Sequence, residues 1–275
     1  MLAIKNNIMA ENAARQLGSS YDALAQSIER LSSGLRINSA KDDAAGLAVR
    51  ELMRADIAMI QQGARNAQDG ISMLQTMEGA MSVIDEALIR MKELAEQAAT
   101  GSYSSQQRRI MNSEFGELRD EITRIAQGTE FNETTMLDSA SGSSTIHFGV
   151  DSSGSASTID VSSVDVTAAT LGITSSISLT STTNAATALT TVTTAIKSKD
   201  SARASFGYSM NRLSMSSNVL NIQAENLMAA ESRVSDVDVA TEMSTLTRNQ
   251  VLAQAGVAML AQANTMPQMA LTLLR

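Results

Sequence analysis

Apolar residues recur at alternating steps of three and four near both ends of this 275-residue chain. The N-terminal stripe runs through Leu17, Tyr21, Leu24, Ile28, Leu31 and Leu35, and the C-terminal stripe through Val239, Met243, Leu246, Ala253, Val257 and Leu260. This spacing places the apolar side chains on one face of an α-helix, as in a coiled coil. Because such a face is unstable in water, each helix needs a partner. The two terminal helices are therefore expected to pack on each other.

Similar stripes predict long helices between the ends, over residues 57–95, 111–125 and 189–234. Because the chain has one proline, nothing forces a break between Leu47 and Ala99. A helix of that length spans about 80 Å, whereas a compact chain of this size has a radius of gyration of about 19 Å. The sequence thus predicts a mainly α-helical, elongated, coiled-coil-like bundle. Gly63 and Gly70 are expected to allow close helix approach rather than to break the helix.

Residues 139–196 differ from both flanks, because their only charged residues are three aspartates and serine and threonine dominate. Such a composition is typical of a linker. However, residues 145–150 and 157–161 alternate or are β-branched, and they flank the turn-rich segment 151–155. This pattern favours a small β-hairpin over the linker interpretation.

The composition offers little for enzymatic chemistry. The chain has no cysteine and one histidine, His147, which excludes disulfides, cysteine-ligated zinc and multi-histidine metal sites. Nucleotide-binding and nucleophile-elbow motifs are absent from the sequence. We therefore expect no enzyme activity, no catalytic residues, no cofactor and no metal. Asp42 and Asp43 suggest a metal site or a helix N-terminus, and the following Ala44-Ala45-Gly46 favours the helix N-terminus.

The charge and hydropathy patterns also exclude two classes of partner. A net charge of −8 argues against nucleic-acid binding, which needs a basic surface. No apolar run is long enough to span a membrane, so membrane insertion is not expected. The N-terminus lacks the basic and apolar regions of a cleaved secretory signal.

Motifs at both ends resemble those of bacterial flagellin. At the N-terminal end these are LSSGLRIN at 31–38, DDAAGLA at 42–48 and NAQDGIS at 66–72. At the C-terminal end they are QAG at 254–256, LAQAN at 260–264, PQ at 267–268 and LLR at 273–275. The resemblance covers residues 1–138 and 200–275, so the room between the two halves is small. The chain therefore resembles a minimal flagellin with little or no D2 and D3.

The resemblance implies a domain organisation. It comprises a D0 N-terminal helix at 1–33, a linker (spoke) loop at 34–46, D1 N-terminal helices at 47–138, a D1 β-hairpin and Ser/Thr-rich outer segment at 139–184, a D1 C-terminal helix at 185–234 and a D0 C-terminal helix at 235–275.

The implied function is that of a structural subunit that polymerises with copies of itself into the flagellar filament for motility. The family is extracellular and leaves the cell through the flagellar type III export apparatus without a cleaved signal peptide. Its partners are its own copies, the export apparatus, a flagellin chaperone, the filament cap and the hook-associated junction proteins. A hook–filament junction protein is the alternative within the same family, and a Ser/Thr-rich adhesive surface is a third interpretation that is compatible with a filament.

Two sets of site residues follow. The stripes predict a self-assembly seam made of Leu17, Leu24, Ile28, Leu31, Leu246, Val257 and Leu260. The resemblance further implies an innate-immune contact, because some flagellins are sensed by Toll-like receptor 5. The matching residues are Arg90, Leu94 and Glu114, while Ile89 replaces a glutamine often found in recognised flagellins.

Overall fold

The computed structural model describes residues 6–138, 143–149 and 157–273. Its helices are α1 (Ile8–Ser33), α2 (Ala44–Ala99), α3 (Ser105–Gly128), α4 (Thr182–Ser235) and α5 (Val239–Leu273). Its strands are β1 (Glu130–Phe131), β2 (Thr134–Thr135), β3 (Ser144–His147) and β4 (Thr158–Val161), which form the antiparallel pairs β1–β2 and β3–β4. The mainly α-helical fold predicted from the stripes is confirmed. None of the described helices is apolar over a length that could cross a membrane.

The chain divides into two compact units. One contains Met1–Ala55 and Glu225–Arg275, and the other contains Asp56–Ala224. The two ends of the chain therefore share a unit, while the middle forms its own.

Helices begin and end at residues that favour such boundaries. Gly34 ends α1 in a left-handed conformation, with φ +74°, and its N–H donates to the Arg30 carbonyl at 2.8 Å. Ser104 and Gln107 form a reciprocal capping box at the start of α3. By contrast, α2 runs through 56 residues without interruption, so its glycines do not break it, as expected.

The core of the 56–224 unit lies along the predicted stripes. Its fully buried α2 residues include Ile60, Leu74, Met77, Met81, Ile84, Leu88 and Met91. Met111, Phe115 and Ile122 of α3 and Val192, Phe206 and Leu213 of α4 are buried too. Methionine fills many of these positions because its flexible side chain suits irregular gaps between helices.

The β-hairpin pattern is also confirmed. In the β3–β4 pair, Thr145 lies opposite Asp160 and Ile146 opposite Ile159. The Thr145 hydroxyl donates to Asp160 Oδ1 at 2.7 Å across the pair. The predicted turn at 151–155 falls outside the described residues.

Gly63 and Gly70 lie against the β3–β4 hairpin region, whereas a neighbouring helix was expected. A Cβ at Gly63 would lie 2.9 Å from the carbonyl carbon of Phe148, just beyond β3. A Cβ at Gly70 would lie 3.1 Å from Ile146 of β3 and 3.2 Å from Leu213 of α4. Between the two glycines, Asn66 Nδ2 donates to the His147 carbonyl at 2.8 Å. The two glycines therefore accommodate chiefly the hairpin, because an edge of backbone approaches α2 more closely than a helix bearing side chains would.

Candidate functional site

The terminal helices α1 and α5 pack against each other in antiparallel orientation, as the seams predicted. At the beginning of α1, Asn7 Nδ2 donates to the Ala263 carbonyl at 2.8 Å. Midway, a Cβ at Gly256 would lie only 3.1 Å from Leu17 Cδ1. At the end of α1, Arg30 Nη1 lies 3.8 Å from Glu242 Oε2. The pairing thus extends along most of α1.

On α1 large aliphatic residues alternate with serines along the contact face, whereas on α5 small and polar residues separate two leucines. The buried and half-buried residues at these positions are Leu17, Ser20, Leu24, Ser27 and Leu31 on α1 and Glu242, Leu246, Asn249, Ala253, Gly256, Leu260 and Ala263 on α5. The steps are again three and four, so the contact is a heptad seam. Ala10, Ala13, Ala23 and Arg30 of α1 and Thr245 of α5 are half-buried as well. The small seam residues, such as Ser27 of α1 and Ala253 and Gly256 of α5, allow the two backbones to approach.

The seam therefore differs in phase from the predicted stripe at alternate positions. Ser27 and Gly256 lie in the contact face, while their large neighbours Ile28 and Val257 point outward with exposed fractions of 52 % and 49 %. Tyr21 likewise follows the buried Ser20 and is 51 % exposed. Of the predicted self-assembly residues, Leu17, Leu24, Leu31, Leu246 and Leu260 are half-buried in the pair. Ile28 and Val257 remain uncovered within the chain.

An open groove of about 530 Å³ lies between α1 and α5, on the side to which Tyr21 and Val257 point. It is lined by Tyr21, Leu24, Gln250, Ala253, Gln254 and Val257. A second groove of about 520 Å³, formed by α5 alone, is lined by Ser244, Thr247, Arg248, Val251 and Leu252. Sequence reasoning missed this second face, because Val251 and Leu252 lie outside the stripe.

Apolar residues thus occupy α5 on sides that α1 does not cover. The exposed ones are Val239, Met243, Val251, Leu252, Val257, Met259 and Met266. A helix that is apolar on all sides is normally buried on all sides. An exposed apolar surface of this extent is typical of a site for protein association.

The loops that follow α1 and precede α5 are joined to each other. Leu35 and Asp236 form an antiparallel β-bridge. The Arg36 N–H donates to the Ser235 carbonyl at 2.6 Å, and the Arg36 guanidinium donates to the Val234 carbonyl at 2.7 Å. The segment after α1 is therefore joined to the end of α4 and to the loop before α5 by backbone and side-chain hydrogen bonds.

The segment 34–43 is also tied to the helices on either side of it. Asn38 Nδ2 donates to Glu29 Oε1 at 2.6 Å, and Arg50 Nη1 donates to the Ile37 carbonyl at 2.7 Å. Nearby, a Cβ at Gly46 would lie 2.6 Å from Ile37 Cδ1, so a larger residue there would force the Ile37 side chain to shift. The glycine and the polar residues of the 31–48 motifs therefore have specific contacts that maintain the loop.

Asp42 and Asp43 accept backbone hydrogen bonds. Asp42 Oδ2 accepts the N–H groups of Asn38 and Ser39, and the pKa of Asp42 is lowered chiefly by the Ser39 backbone bond. Asp43 Oδ1 accepts the N–H groups of Ala45 and Gly46 at the start of α2. The helix N-terminus interpretation is confirmed for Asp43. In the described part of the chain, no group of three acidic or histidine residues converges as metal ligands would.

The predicted receptor-contact residues lie on α2 and α3. Arg90 Nη2 on α2 lies 2.8 Å from Glu114 Oε1 on α3, and Arg90 Nη1 lies 3.1 Å from Glu93 Oε2. These carboxylates raise the pKa of Arg90, with Glu114 the larger influence. Arg90 and Glu114 are exposed, whereas Leu94 is only 2 % exposed. The structure brings the two charged residues together at the surface and buries the leucine.

This fold defines a class of α-helical protein in which the two chain ends pair in one unit and the middle of the chain folds in another. The bacterial flagellin N-terminal helical region matches residues 4–141, and the bacterial flagellin C-terminal helical region matches residues 189–274. The chain therefore belongs to the bacterial flagellin family.

Full-length relatives and a solved structure agree. A flagellin of Halalkalibacterium halodurans is 42% identical over 274 residues, covering 100% of both chains. The flagellar filament 33 kDa core protein of Treponema phagedenis is 39% identical over 289 residues, again covering 100% of both chains. The crystal structure of Bacillus cereus flagellin is 33% identical with a TM-score of 0.51, and the match covers 61% of this chain and 94% of that one. Because the relatives are matched over their whole length, the chain is a small flagellin.

Proposed function

We propose that this chain is a structural subunit that polymerises with copies of itself into the bacterial flagellar filament and has no catalytic role. The observation that carries this proposal is the apolar surface on α5 that α1 leaves uncovered, including Val251, Leu252 and Val257. Neighbouring copies of the same chain would bury it. The names of the relatives, flagellin and flagellar filament core protein, support the same function.

The two grooves on the α1–α5 pair favour an open polymer over a closed dimer. One lies between α1 and α5 beside Tyr21 and Val257, and the other lies on α5 alone beside Val251 and Leu252. A subunit with two different contact surfaces associates head to tail, and such contacts form open helical filaments unless the rotation closes a ring. Each copy would thus receive one neighbour on each surface.

Seeded growth of the purified chain tests the proposal. We expect the full-length monomer to elongate filament seeds into filaments visible by negative-stain electron microscopy. A truncated chain lacking residues 240–275 is expected to stay monomeric, because it has lost α5 and both grooves. Normal filaments from the truncated chain would refute the mechanism.

A hook–filament junction protein is the alternative within the family. A filament subunit is made in far greater numbers than a junction protein, so abundance separates the two. We expect this chain to dominate the protein sheared from the cell surface. A trace amount there would favour the junction function.

The domain organisation and partners of the family belong to the same proposal. Residues 1–33 and 235–275, which contain α1 and α5 and lie in one compact unit, would form D0. Residues 47–234 would form D1, most of which is the 56–224 unit. The chain would be exported by the flagellar type III apparatus without a cleaved signal peptide, with a chaperone. It would end outside the cell, where it meets the filament cap and the hook-associated junction proteins. An N-terminal sequence of filament protein beginning within the first residues of the chain would support export without cleavage.

Recognition by Toll-like receptor 5 is supported here for the charged residues only. Arg90 and Glu114 present an exposed ion pair that a receptor can contact, whereas Leu94 is buried. In a receptor-reporter cell assay with monomeric protein, the double variant Arg90→Ala/Glu114→Ala is expected to lose potency. Arg124→Ala, which removes an exposed arginine of another ion pair on α3, is the control. Equal potency of the double variant and the parent would contradict this contact.

A further inference from the structure

Lys199 is a buried lysine at a core position of α4. It is 1 % exposed, and Ala195 and Val192 precede it in the same buried stripe at steps of four and three. Phe206 follows seven residues later and is buried as well. The pattern predicts an apolar residue at position 199. The lysine found there interrupts the apolar stripe of the sequence.

Two carboxylates hold the buried ammonium group. Lys199 Nζ lies 2.5 Å from Asp85 Oδ1 on α2 and 2.7 Å from Asp200 Oδ1 on α4. Both aspartates remain partly exposed, so the desolvated charge is that of the lysine. One turn along α4, Arg203 Nη2 lies 3.1 Å from Glu78 Oε1, which is two turns earlier on α2. The two ion pairs thus connect α2 and α4 in antiparallel orientation.

Apolar packing alone leaves the axial alignment of α4 on α2 degenerate. The buried stripe of α2 near this site has steps of three and four throughout, and it consists of Leu74, Met77, Met81, Ile84, Leu88, Met91 and Ala95. The stripe of α4 before Lys199 has the same period. A slide of seven residues, about 10 Å, would therefore return apolar side chains to apolar side chains.

The charges remove this degeneracy. In the observed alignment Lys199 faces Asp85. A seven-residue slide in one direction would bring Lys199 opposite Lys92, which sets like charges against each other. A slide in the other direction would offer Glu78 to Lys199 but would place Asp85 opposite Val192, a fully buried position of α4. Asp200 lies on the same helix as Lys199 and moves with it, so the Asp85 pairing is the one that depends on register. One slide sets two lysines against each other and the other places Asp85 against an apolar position, so both are disfavoured relative to the observed alignment.

We propose that Lys199, paired with Asp85, sets the axial register of α4 against α2 in the 56–224 unit and does so while lowering stability relative to an apolar pair. A single lysine or asparagine in a coiled-coil core has this effect, because mispaired registers bury an unsatisfied charge. Lys199 is thus a positioning residue. The inference concerns the folded unit and does not depend on the filament. A helical polymer nonetheless requires identical subunits, and one register keeps them identical.

Distance measurements between spin labels test the register directly. The chain has no cysteine, so Thr76→Cys on α2 and Thr187→Cys on α4, both at exposed positions, give two unique labelling sites. Double electron–electron resonance on the full-length monomer is expected to give one narrow distance with Lys199 present. In Lys199→Met we expect a second distance displaced by about 10 Å and a melting temperature equal to or above that of the parent.

Two further variants complete the test. Lys199→Arg keeps the charge and is expected to give the same single distance as the parent. Lys199→Met/Asp85→Leu removes both charges and is expected to show the two distances even if Lys199→Met folds poorly, because an apolar pair can replace a buried ion pair. One unchanged distance in the methionine variants would overturn the proposal. Loss of folding in both would overturn it as well, since the pair would then be a net stabiliser of the fold.

Discussion

Gly256 of α5 lies directly against Leu17 of α1, so that a Cβ at position 256 would meet Leu17 Cδ1 at 3.1 Å. The glycine therefore leaves little space between the two helices at this point. The Leu17 side chain thus occupies the space that a side chain at position 256 would need. The outward direction of the neighbouring Val257 follows from the same geometry.

Enlarging Gly256 should separate the terminal helices. Gly256→Leu is expected to lower the free energy of unfolding of the α1–α5 pair by about 1–3 kcal/mol, because overpacking displaces both helices. Urea unfolding followed by circular dichroism measures the change. Gly18→Leu on α1, where a Cβ meets nothing within 4 Å, is the matched control and should not destabilise the protein. Equal stability of both variants would contradict the close approach.

A second glycine pair separates packing from helix propensity. Gly63→Ala should destabilise the 56–224 unit, since its Cβ would lie 2.9 Å from the Phe148 carbonyl carbon. Gly79→Ala in the same helix has open space around it and should stabilise by about 1 kcal/mol, the propensity gain of alanine over glycine. Thermal unfolding of the two variants gives the comparison. A stabilising effect at both positions would show that the hairpin does not rest on Gly63.

Acid should lower the stability of the loops that follow α1 and precede α5. The pKa of Asp42 lies below its ordinary value of 3.8, chiefly because it accepts the Ser39 N–H, and the pKa of Asp238 is lowered chiefly by the Thr241 hydroxyl. A lowered folded-state pKa means that the stabilisation is fully present above pH 3.8 and is lost as the pH falls through the folded-state value.

Unfolding measured from pH 7 to pH 2 checks this dependence. The variant Asp42→Asn/Asp238→Asn should be less stable than the parent at neutral pH and should change less with pH below 4. Asp22→Asn, an exposed carboxylate of α1, is the control and should retain the parent profile. If the double variant follows the parent profile, these two carboxylates do not contribute to the acid response.

Much of the fold can be predicted from the sequence, because long heptad stripes determine which helix faces are buried. Met77, Met81 and Leu88 are buried as their spacing predicts. The β3–β4 pair is equally readable, since alternation and a turn signal coincide. The end of α1 follows from Gly34, which adopts the left-handed conformation that terminates a helix.

The phase of the terminal seam could not be read in the same way. Ile28 and Val257 have the larger apolar surface, so periodicity alone assigns them to the contact. The contact instead takes Ser27 and Gly256, because close approach of two backbones favours small residues over apolar ones. Which of two adjacent residues faces the partner depends on the partner's shape.

Short-range turn chemistry explains another difference. The β1–β2 pair is joined by Asn132 and Glu133, both with positive φ, at +50° and +64°. Such turns are usually recognised by Asn-Gly or Asp-Gly. Glutamate in the second position conceals the turn from a sequence-based prediction. Lys199 was concealed for a related reason, because burial of a lysine depends on carboxylates that are distant in sequence.

The most direct test of the proposed assembly surface compares polymerisation with monomer stability. In the double variant Ile28→Ser/Val257→Ser, two side chains that are half exposed in the monomer lose their apolar character. We expect the free energy of unfolding of the monomer to change by no more than about 0.5 kcal/mol, as for surface substitutions. The critical concentration for seeded filament growth should rise on the order of tenfold or more, because the apolar area that neighbouring copies would bury is reduced.

Leu17→Ala serves as the matched comparison, since Leu17 lies within the α1–α5 contact and its loss should reduce monomer stability as well as growth. The measurement is the critical concentration of seeded growth for the three proteins, with their unfolding curves recorded in the same buffer. A raised critical concentration at unchanged monomer stability in Ile28→Ser/Val257→Ser is the predicted result. Parental growth of that variant would contradict the account.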